Sequence, residues 1–294
     1  MTVIRVHTAG FCMGVGLALH KLEQEIETRK HTAAKGRLVM LGPIIHNPQV
    51  LSAYAAQGVI QADTLDEIHA GDTVIIRAHG IPRPDEEKLR ELGALIVDAT
   101  CPKVKKAQLA IADATAGGTP LYLFGEEYHP EVRGLISYAA GTCKVFGNLA
   151  ELQRIDLQTG SRAVLAAQTT QDRAEFEAIR RWLEDRLDLT VLSTICDATR
   201  KRQQETQDVA SQVQAMIVVG GRSSGNTRRL VDVARGCGIP VWHIETAEEL
   251  SLPDIAAYDL IGITAGASTP HKLVDDVQNL LETLHQTNEK PSAH

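Results

Sequence analysis

The sequence predicts an α/β fold of three similar modules with parallel sheets, in a pseudo-three-fold (trefoil) arrangement around a central site. Three observations predict it. Short β-branched runs alternate with longer helix-patterned segments from end to end, the pattern of parallel strands covered by helices. Three cysteines, Cys12, Cys101 and Cys196, each sit just past a strand candidate and just before a helix candidate, 89 and 95 residues apart. Polar loops recur at matching distances after each cysteine, and such self-similarity is an architectural signal.

Taken in order, the strand candidates are Val3–Val6, Arg37–Leu41, Thr73–Ala78, Leu95–Ala99, Pro120–Phe124, Ala163–Ala167, Leu189–Ser193, Ala215–Val219, Pro240–Ile244 and Leu260–Thr264. Amphipathic stretches between them include Pro84–Leu92, Arg173–Leu187, Arg200–Gln214 and His271–His285. After each cysteine a second strand ends in a glycine-containing loop: LGPIIHNP, FGEEYHPEVRG and VGGRSSGNTRR. Measured to His46, His129 and Ser224 the offsets are 34, 28 and 28 residues. A third strand then ends in RAHG, AAQTTQ or TAGAST, with offsets of 67, 68 and 72 to His79, Thr169 and Ser268. The modules are therefore drawn at 1–98, 99–193 and 194–287, with 288–294 as a frayed tail. Ligands of parallel α/β sheets bind at the carboxyl ends of strands. Facing modules would bring these loops to one pocket floored by three thiols.

Composition narrows the class. With 44% apolar, 23% charged and 4% aromatic residues in 294, the chain reads as soluble and globular. Lys+Arg 30 against Asp+Glu 37 gives a net charge of −7 with no basic block, which argues against nucleic acid or an anionic membrane as partner. No apolar stretch approaches the roughly 20 residues of a membrane span. The start, MTVIRVHTAGF, reads as a strand and not a signal peptide, so a cytoplasmic location is expected.

Five scattered cysteines without a CxxC pair do not make a disulfide scaffold or an ordinary structural zinc site. A cubane iron–sulfur cluster normally takes four cysteines. Three in matching loops would leave one iron without a protein ligand, open to a substrate oxygen. A helix N-terminus after each cysteine favours thiolate and an anionic cluster. Buried inert thiols are the plainer reading of any one of them. Cys143 and Cys237 fall outside the register and read as structural.

The polar loops lean to neutral donors: His46 with Asn47, His79, His129, Thr169, Ser223, Ser224, Asn226 and Ser268. Such donors at loop–helix junctions suit a phosphate or diphosphate. Ser224, Asn226 and Ser268 equally suit helix capping, near Thr227 and near His271. Glu131, two residues after His129, opens a helix facing the expected pocket; a carboxyl in a closed cavity has a raised pKa and can deliver protons. The plainer reading is a first-turn glutamate favoured by the helix dipole. Glu126 and Glu127 read as solvated, and the basic run ATRKRQQ as a surface helix with i,i+4 partners such as Glu205.

At GFCMGV, IIHNPQV, RAHG, DATCPKV, HPEVRG, QTT, TICDAT, SGNT and ITAGAS the chain closely resembles the 4-hydroxy-3-methylbut-2-enyl diphosphate reductase family. Nine motifs in order, from Gly10 to Ser268, carry the resemblance. It implies a 4Fe-4S cluster on Cys12, Cys101 and Cys196 and a diphosphate held by His46, His79, His129, Ser224, Asn226 and Ser268. It further implies Thr169 as a substrate contact and Glu131 as the proton relay. The implied reaction removes the C4 hydroxyl with two electrons and two protons, giving isopentenyl and dimethylallyl diphosphates. With no GxGxxG after a strand, a separate ferredoxin or flavodoxin is the expected electron donor. Some relatives carry Asn at the position of Ser223 and Ser at that of Gly225. Two alternatives use the same residues: a non-catalytic iron–sulfur redox sensor, and a zinc-stabilised phosphate-ligand binding protein.

Overall fold

The alternation read from the sequence becomes alternating strands and helices in the computed structural model, which describes residues 1–32 and 36–288. The first third runs through β1 (Thr2–Arg5), α1 (Met13–His31), β2 (Leu38–Leu41), α2 (Pro48–Ala55), β3 (Ile60–Ala62), β4 (Thr73–Ile76), α3 (Arg83–Glu91) and β5 (Leu95–Asp98). The middle holds α4 (Pro102–Thr115), β6 (Leu121–Phe124), α5 (Pro130–Ile136), β7 (Cys143–Phe146), α6 (Leu149–Leu152), β8 (Arg162–Ala167), α7 (Arg173–Glu184) and β9 (Asp188–Val191). Last come α8 (Asp197–Ala210), β10 (Ala215–Val219), α9 (Gly225–Arg235), β11 (Val241–Ile244), α10 (Leu252–Ile255), β12 (Leu260–Ala265) and α11 (His271–Asn288). The ten strand candidates are all present within two residues of their expected ends. The tail expected at 288–294 lies outside the described residues beyond Asn288.

The strands form three four-stranded sheets, ordered β3-β2-β4-β5, β7-β6-β8-β9 and β11-β10-β12-β1. Every pairing is parallel. The three orders are one plan. In each sheet the outermost strand of the series, β5, β9 or β1, is the one whose end leads into a cysteine. One expectation is corrected here. Thr2–Arg5, drawn into the module 1–98, pair with Leu260–Ile263 in the sheet of the module 194–287. The reason is the edge they cover: β12 is buried along nearly its whole length, and an unpaired apolar edge there would be a liability.

The chain divides into two compact units. One is Met1–Met13, His46–Val50 and the chain from Asp197; the other is Gly14–Ile45 with Leu51–Cys196. The first holds the β11-β10-β12-β1 sheet, packed by Val274, Val277 and Leu281 of α11 on the residues of β10 and β12. The second holds the other two sheets. Its β7-β6-β8-β9 sheet shows why these strands read as unbroken apolar runs. Tyr122, Phe124, Leu165 and Ala167 pack on Phe176, Ile179 and Leu183 of α7. Their neighbours Leu121, Leu123, Val164 and Ala166 face the other way, onto Ala107 and Ile111 of α4 and Val132 and Leu135 of α5. Strands covered on both faces need apolar residues at every position. Among the described residues no helix is long and apolar enough to cross a membrane.

Candidate active site

Each of the three register cysteines stands immediately before a long helix: Cys12 before α1, Cys101 as N-cap of α4, Cys196 before α8. Their backbones are fixed in one way. The amides of Cys12, Cys101 and Cys196 donate to the carbonyls of Ala267, Ala78 and Thr169 at 3.1, 2.9 and 3.0 Å. Each acceptor lies in the loop after the neighbouring strand, the loop that also carries Ser268, His79 or Thr169. None of the three cysteines is in a disulfide, and each is half-buried. The remaining cysteines are built differently. Burial pushes the Cys143 thiol up to about 11, and the Cys237 Sγ donates to the Val233 carbonyl at 3.6 Å.

In the larger unit one path of contacts joins two of these cysteines. His79 follows Ala78, the acceptor for Cys101, and its ring meets that of His129 edge-on at 5.4 Å between centroids. His129, as N-cap of α5, accepts the Glu131 amide on Nδ1 at 3.1 Å. The Glu131 carboxylate receives the Thr169 amide at 2.6 Å and the Thr169 hydroxyl at 2.9 Å. The Thr169 carbonyl in turn accepts the Cys196 amide. Glu131 is 2% exposed. Burial pushes its carboxyl up to about 7, although the two bonds from Thr169 pull the other way. Such a group is half protonated near neutral pH, which suits a proton donor. Glu126 and Glu127 are exposed, as the sequence suggests.

In the other unit His46, Ser224, Asn226 and Ser268 lie around the carboxyl ends of β10 and β12. The Ser268 hydroxyl donates to the His46 carbonyl at 3.2 Å and stands 3.5 Å from the Ser224 Oγ. Gly221 makes the fit possible, because a Cβ there would stand 2.6 Å from the His46 oxygen. Ser224 does cap α9, accepting the Thr227 amide at 3.3 Å. Ser268 is instead turned toward His46. Asn226 is buried, and its Nδ2 has no hydrogen-bond partner among the described residues; the same holds for Nδ2 of Asn47. A buried amide donor left unmade is costly, and two of them beside a helix N-terminus call for an acceptor from outside the chain, as a phosphate oxygen supplies.

Two features were not legible in the sequence. Arg202, read as part of a surface run, is 3% exposed and donates to the Ala265 carbonyl at 2.8 Å. With Thr199, Gln203 and Thr206 it forms a buried polar stripe on α8; the i, i+3, i+4, i+7 spacing was visible, but its polarity hid it. Gln168 and Thr194, within the QTT and TICDAT motifs, were given no role of their own. The Thr194 hydroxyl both donates to the Ala167 carbonyl and accepts its amide, at 2.6 and 2.8 Å.

The chain is similar to known proteins over nearly its whole length. Residues 3–282 match the family model described as LytB protein. A 4-hydroxy-3-methylbut-2-enyl diphosphate reductase of Nitratidesulfovibrio vulgaris is 54% identical over 290 residues, covering 97% of this chain and 100% of the relative. The reductase of that name from Aquifex aeolicus is 38% identical, with 96% of each chain covered. Among solved structures, one of (E)-4-hydroxy-3-methyl-but-2-enyl diphosphate reductase, the terminal enzyme of the non-mevalonate pathway, is 37% identical with a TM-score of 0.67. It covers 96% of this chain and 100% of its own. The E-1-hydroxy-2-methyl-but-2-enyl-4-diphosphate reductase of Plasmodium falciparum, 24% identical, shares the fold with a TM-score of 0.87 over 96% of this chain and 87% of its own.

Proposed function

The chain belongs to the LytB protein family, and on that premise we propose how its own residues divide the work of the reaction. Its activity is the reduction of 4-hydroxy-3-methylbut-2-enyl diphosphate, a reductive dehydroxylation. Cys12, Cys101 and Cys196 hold a 4Fe-4S cluster, which supplies electron transfer and an open Lewis-acid position when bound. His46, His79, His129, Ser224, Asn226 and Ser268 hold the diphosphate through neutral donors, with Thr169 touching the substrate. The orphan amide of Asn226 supports that assignment. Holding the diphosphate fixes the C4 hydroxyl in one orientation and spares the reaction the entropy of finding it. Glu131 protonates the leaving hydroxyl. Two electrons and two protons enter, the C4–O bond breaks, water leaves, and the products are isopentenyl and dimethylallyl diphosphates.

The observation that carries this reading is the Glu131 carboxyl: buried, pushed up to about 7 by that burial, and held by Thr169, whose carbonyl holds Cys196. A redox sensor has no use for such a carboxyl, and a zinc site cannot pass electrons. Cysteines outside any disulfide suit a reducing compartment, the cytoplasm. A separate ferredoxin or flavodoxin delivers the electrons. The test is anaerobic purification followed by iron and sulfide analysis, an absorption spectrum, and turnover of the diphosphate with a small-molecule reductant. Four irons per chain and formation of both products are expected. A colourless, zinc-containing protein without turnover would overturn the reading.

A further inference from the structure

The QTT motif contributes Thr169 to the site, but the residue before it is the more deeply buried. Gln168 is fully buried at the end of β8, where its amide donates to the Phe124 carbonyl at 2.8 Å. Its side chain bridges two loops. Oε1 accepts the Glu126 amide at 3.1 Å and the Gln171 Nε2 at 3.3 Å, while Nε2 donates to the Thr170 hydroxyl at 3.0 Å. Glu126 begins the turn that delivers His129 and Glu131, and its carbonyl accepts the His129 amide at 2.8 Å. Gly125 lies beneath the clamp. A Cβ there would stand 2.8 Å from Val132 Cγ2 and 3.2 Å from the Gln168 Oε1, so this loop is packed directly on the glutamine.

We infer that Gln168 is a positioning residue for the proton donor: by tying the Glu126 turn to the QTT loop, it sets the register in which Thr169 meets Glu131. The inference rests on Glu131 acting as the acid. Only an amide serves here. Its oxygen must accept a backbone N–H while its nitrogen donates to a hydroxyl, and both ends are away from water, where an unmade bond is costly. Lengthening the Thr169–Glu131 bonds weakens the contacts that favour the carboxylate, so the carboxyl holds its proton more tightly. The titratable groups beside Glu131 in this unit are His129, on its own loop, and His79, edge-on to His129.

The test is Gln168→Met in the anaerobic holoenzyme, a change that keeps length and removes both polar ends. The protonated carboxyl of Glu131 is followed by its infrared C=O band, assigned by its loss in Glu131→Gln. In Gln168→Met this band is expected to titrate about one pH unit higher. With a small-molecule reductant kcat should fall by about tenfold, while the KM for the diphosphate, set by other residues, stays within about twofold. A band that titrates as in the parent protein overturns the assignment, whatever happens to kcat. Should Gln168→Met not fold, Thr170→Val removes only the hydroxyl end of the clamp; the same upward shift is expected, and its absence is equally decisive. Unimpaired turnover of Glu131→Gln would instead remove the acid itself, an outcome distinct from an unshifted band.

Discussion

Thr169 gives both of its hydrogen-bond donors to one carboxylate, its amide to Glu131 Oε1 at 2.6 Å and its hydroxyl to Oε2 at 2.9 Å. Both bonds favour the ionised form, and burial opposes them strongly enough to leave the carboxyl near 7. The balance makes Glu131 adjustable. Glu131→Gln keeps the shape and an acceptor for Thr169 but has no proton to give. Cluster content should be unchanged and turnover should fall by about 10²-fold or more, the scale of general acid catalysis. Iron analysis and initial rates with a small-molecule reductant check both halves.

The same balance fixes a pH dependence. An acid must be protonated to act, so turnover should decline as pH rises past about 7. Thr169→Val removes the hydroxyl bond and leaves the amide. The carboxylate then loses one of the two contacts that stabilise it, and the alkaline limb should move to higher pH. Stability follows with its own sign. A carboxyl raised in the folded state from 4.5 to about 7 binds more protons folded than unfolded between those values, so its contribution to stability declines as pH rises through that window. Glu131→Gln should abolish this slope, and thermal melts at pH 5 and pH 8 would show it.

How much of this was legible depended on whether the signal was local. The three cysteine loops could be read because thiol, glycine and polar donors sit together in a few residues and then recur. Ser224 as a cap is equally local. The partner of β1 is not: nothing in Thr2–Arg5 names Leu260–Ile263, some 258 residues away, and the pairing is fixed by the free edge of β12. β3, with two of its three residues exposed, offered too little apolar pattern to be noticed. Ser268 could be read as a ligand contact or as a cap for α11, because its choice between a backbone amide and the His46 carbonyl is made by tertiary packing. Arg202 looked solvated because charge usually is, and only the fold supplies its carbonyl partner.

The cysteines separate into two chemical groups. On the proposed assignment, serine at Cys12, Cys101 or Cys196 removes a soft cluster ligand, and each variant should lose most of its iron. Alanine at Cys143 or Cys237 should retain it. In the cluster-free protein the Cys143 thiol, pushed up to about 11 by burial, is neutral at pH 7. Since the thiolate is the nucleophile, Cys143 should be among the slowest to alkylate. Mass-spectrometric mapping of iodoacetamide labelling over time would order the five.

Ser224, Asn226 and Ser268 differ in what else they do, which lets binding and folding be told apart. Asn226→Ala removes an amide whose Nδ2 serves no other described residue. It should weaken diphosphate binding by about 1–3 kcal/mol, the range for a hydrogen bond to a charged group, with little change in stability. Ser224→Ala loses the same kind of contact and also the cap on Thr227, adding about 1 kcal/mol of destabilisation. Calorimetric titration with inorganic diphosphate, beside denaturant melts, distinguishes the two patterns. Unchanged affinity in both variants would mean that the loop only caps α9.

The remaining prediction concerns stability at the end of a sheet opposite to the chemistry. Asp72, just before β4, is 2% exposed. Its Oδ1 accepts Nε and the backbone amide of Arg37, both at 3.1 Å, and its Oδ2 accepts Arg37 Nη2 at 2.5 Å and the His69 amide at 2.8 Å. Four donors, two of them from a guanidinium, hold the carboxyl well below the usual carboxylate range. They tie the amino ends of β2 and β4 together. Asp72→Asn keeps the size and turns one acceptor oxygen into a donor facing other donors. At neutral pH it should cost about 1–3 kcal/mol, with part of the loss eased because Arg37 still reaches water. The sign with pH is the reverse of that for Glu131. A depressed folded pKa stabilises above the unfolded value of 3.8 and is lost as pH falls toward the folded one. The gap in denaturation midpoint between parent and variant should therefore be widest near pH 7 and close below about pH 4. Because the amino ends of these strands carry no site residue, turnover of the folded variant at pH 7 should match the parent; a large loss of kcat would show that the register of this sheet reaches the RAHG loop at its other end.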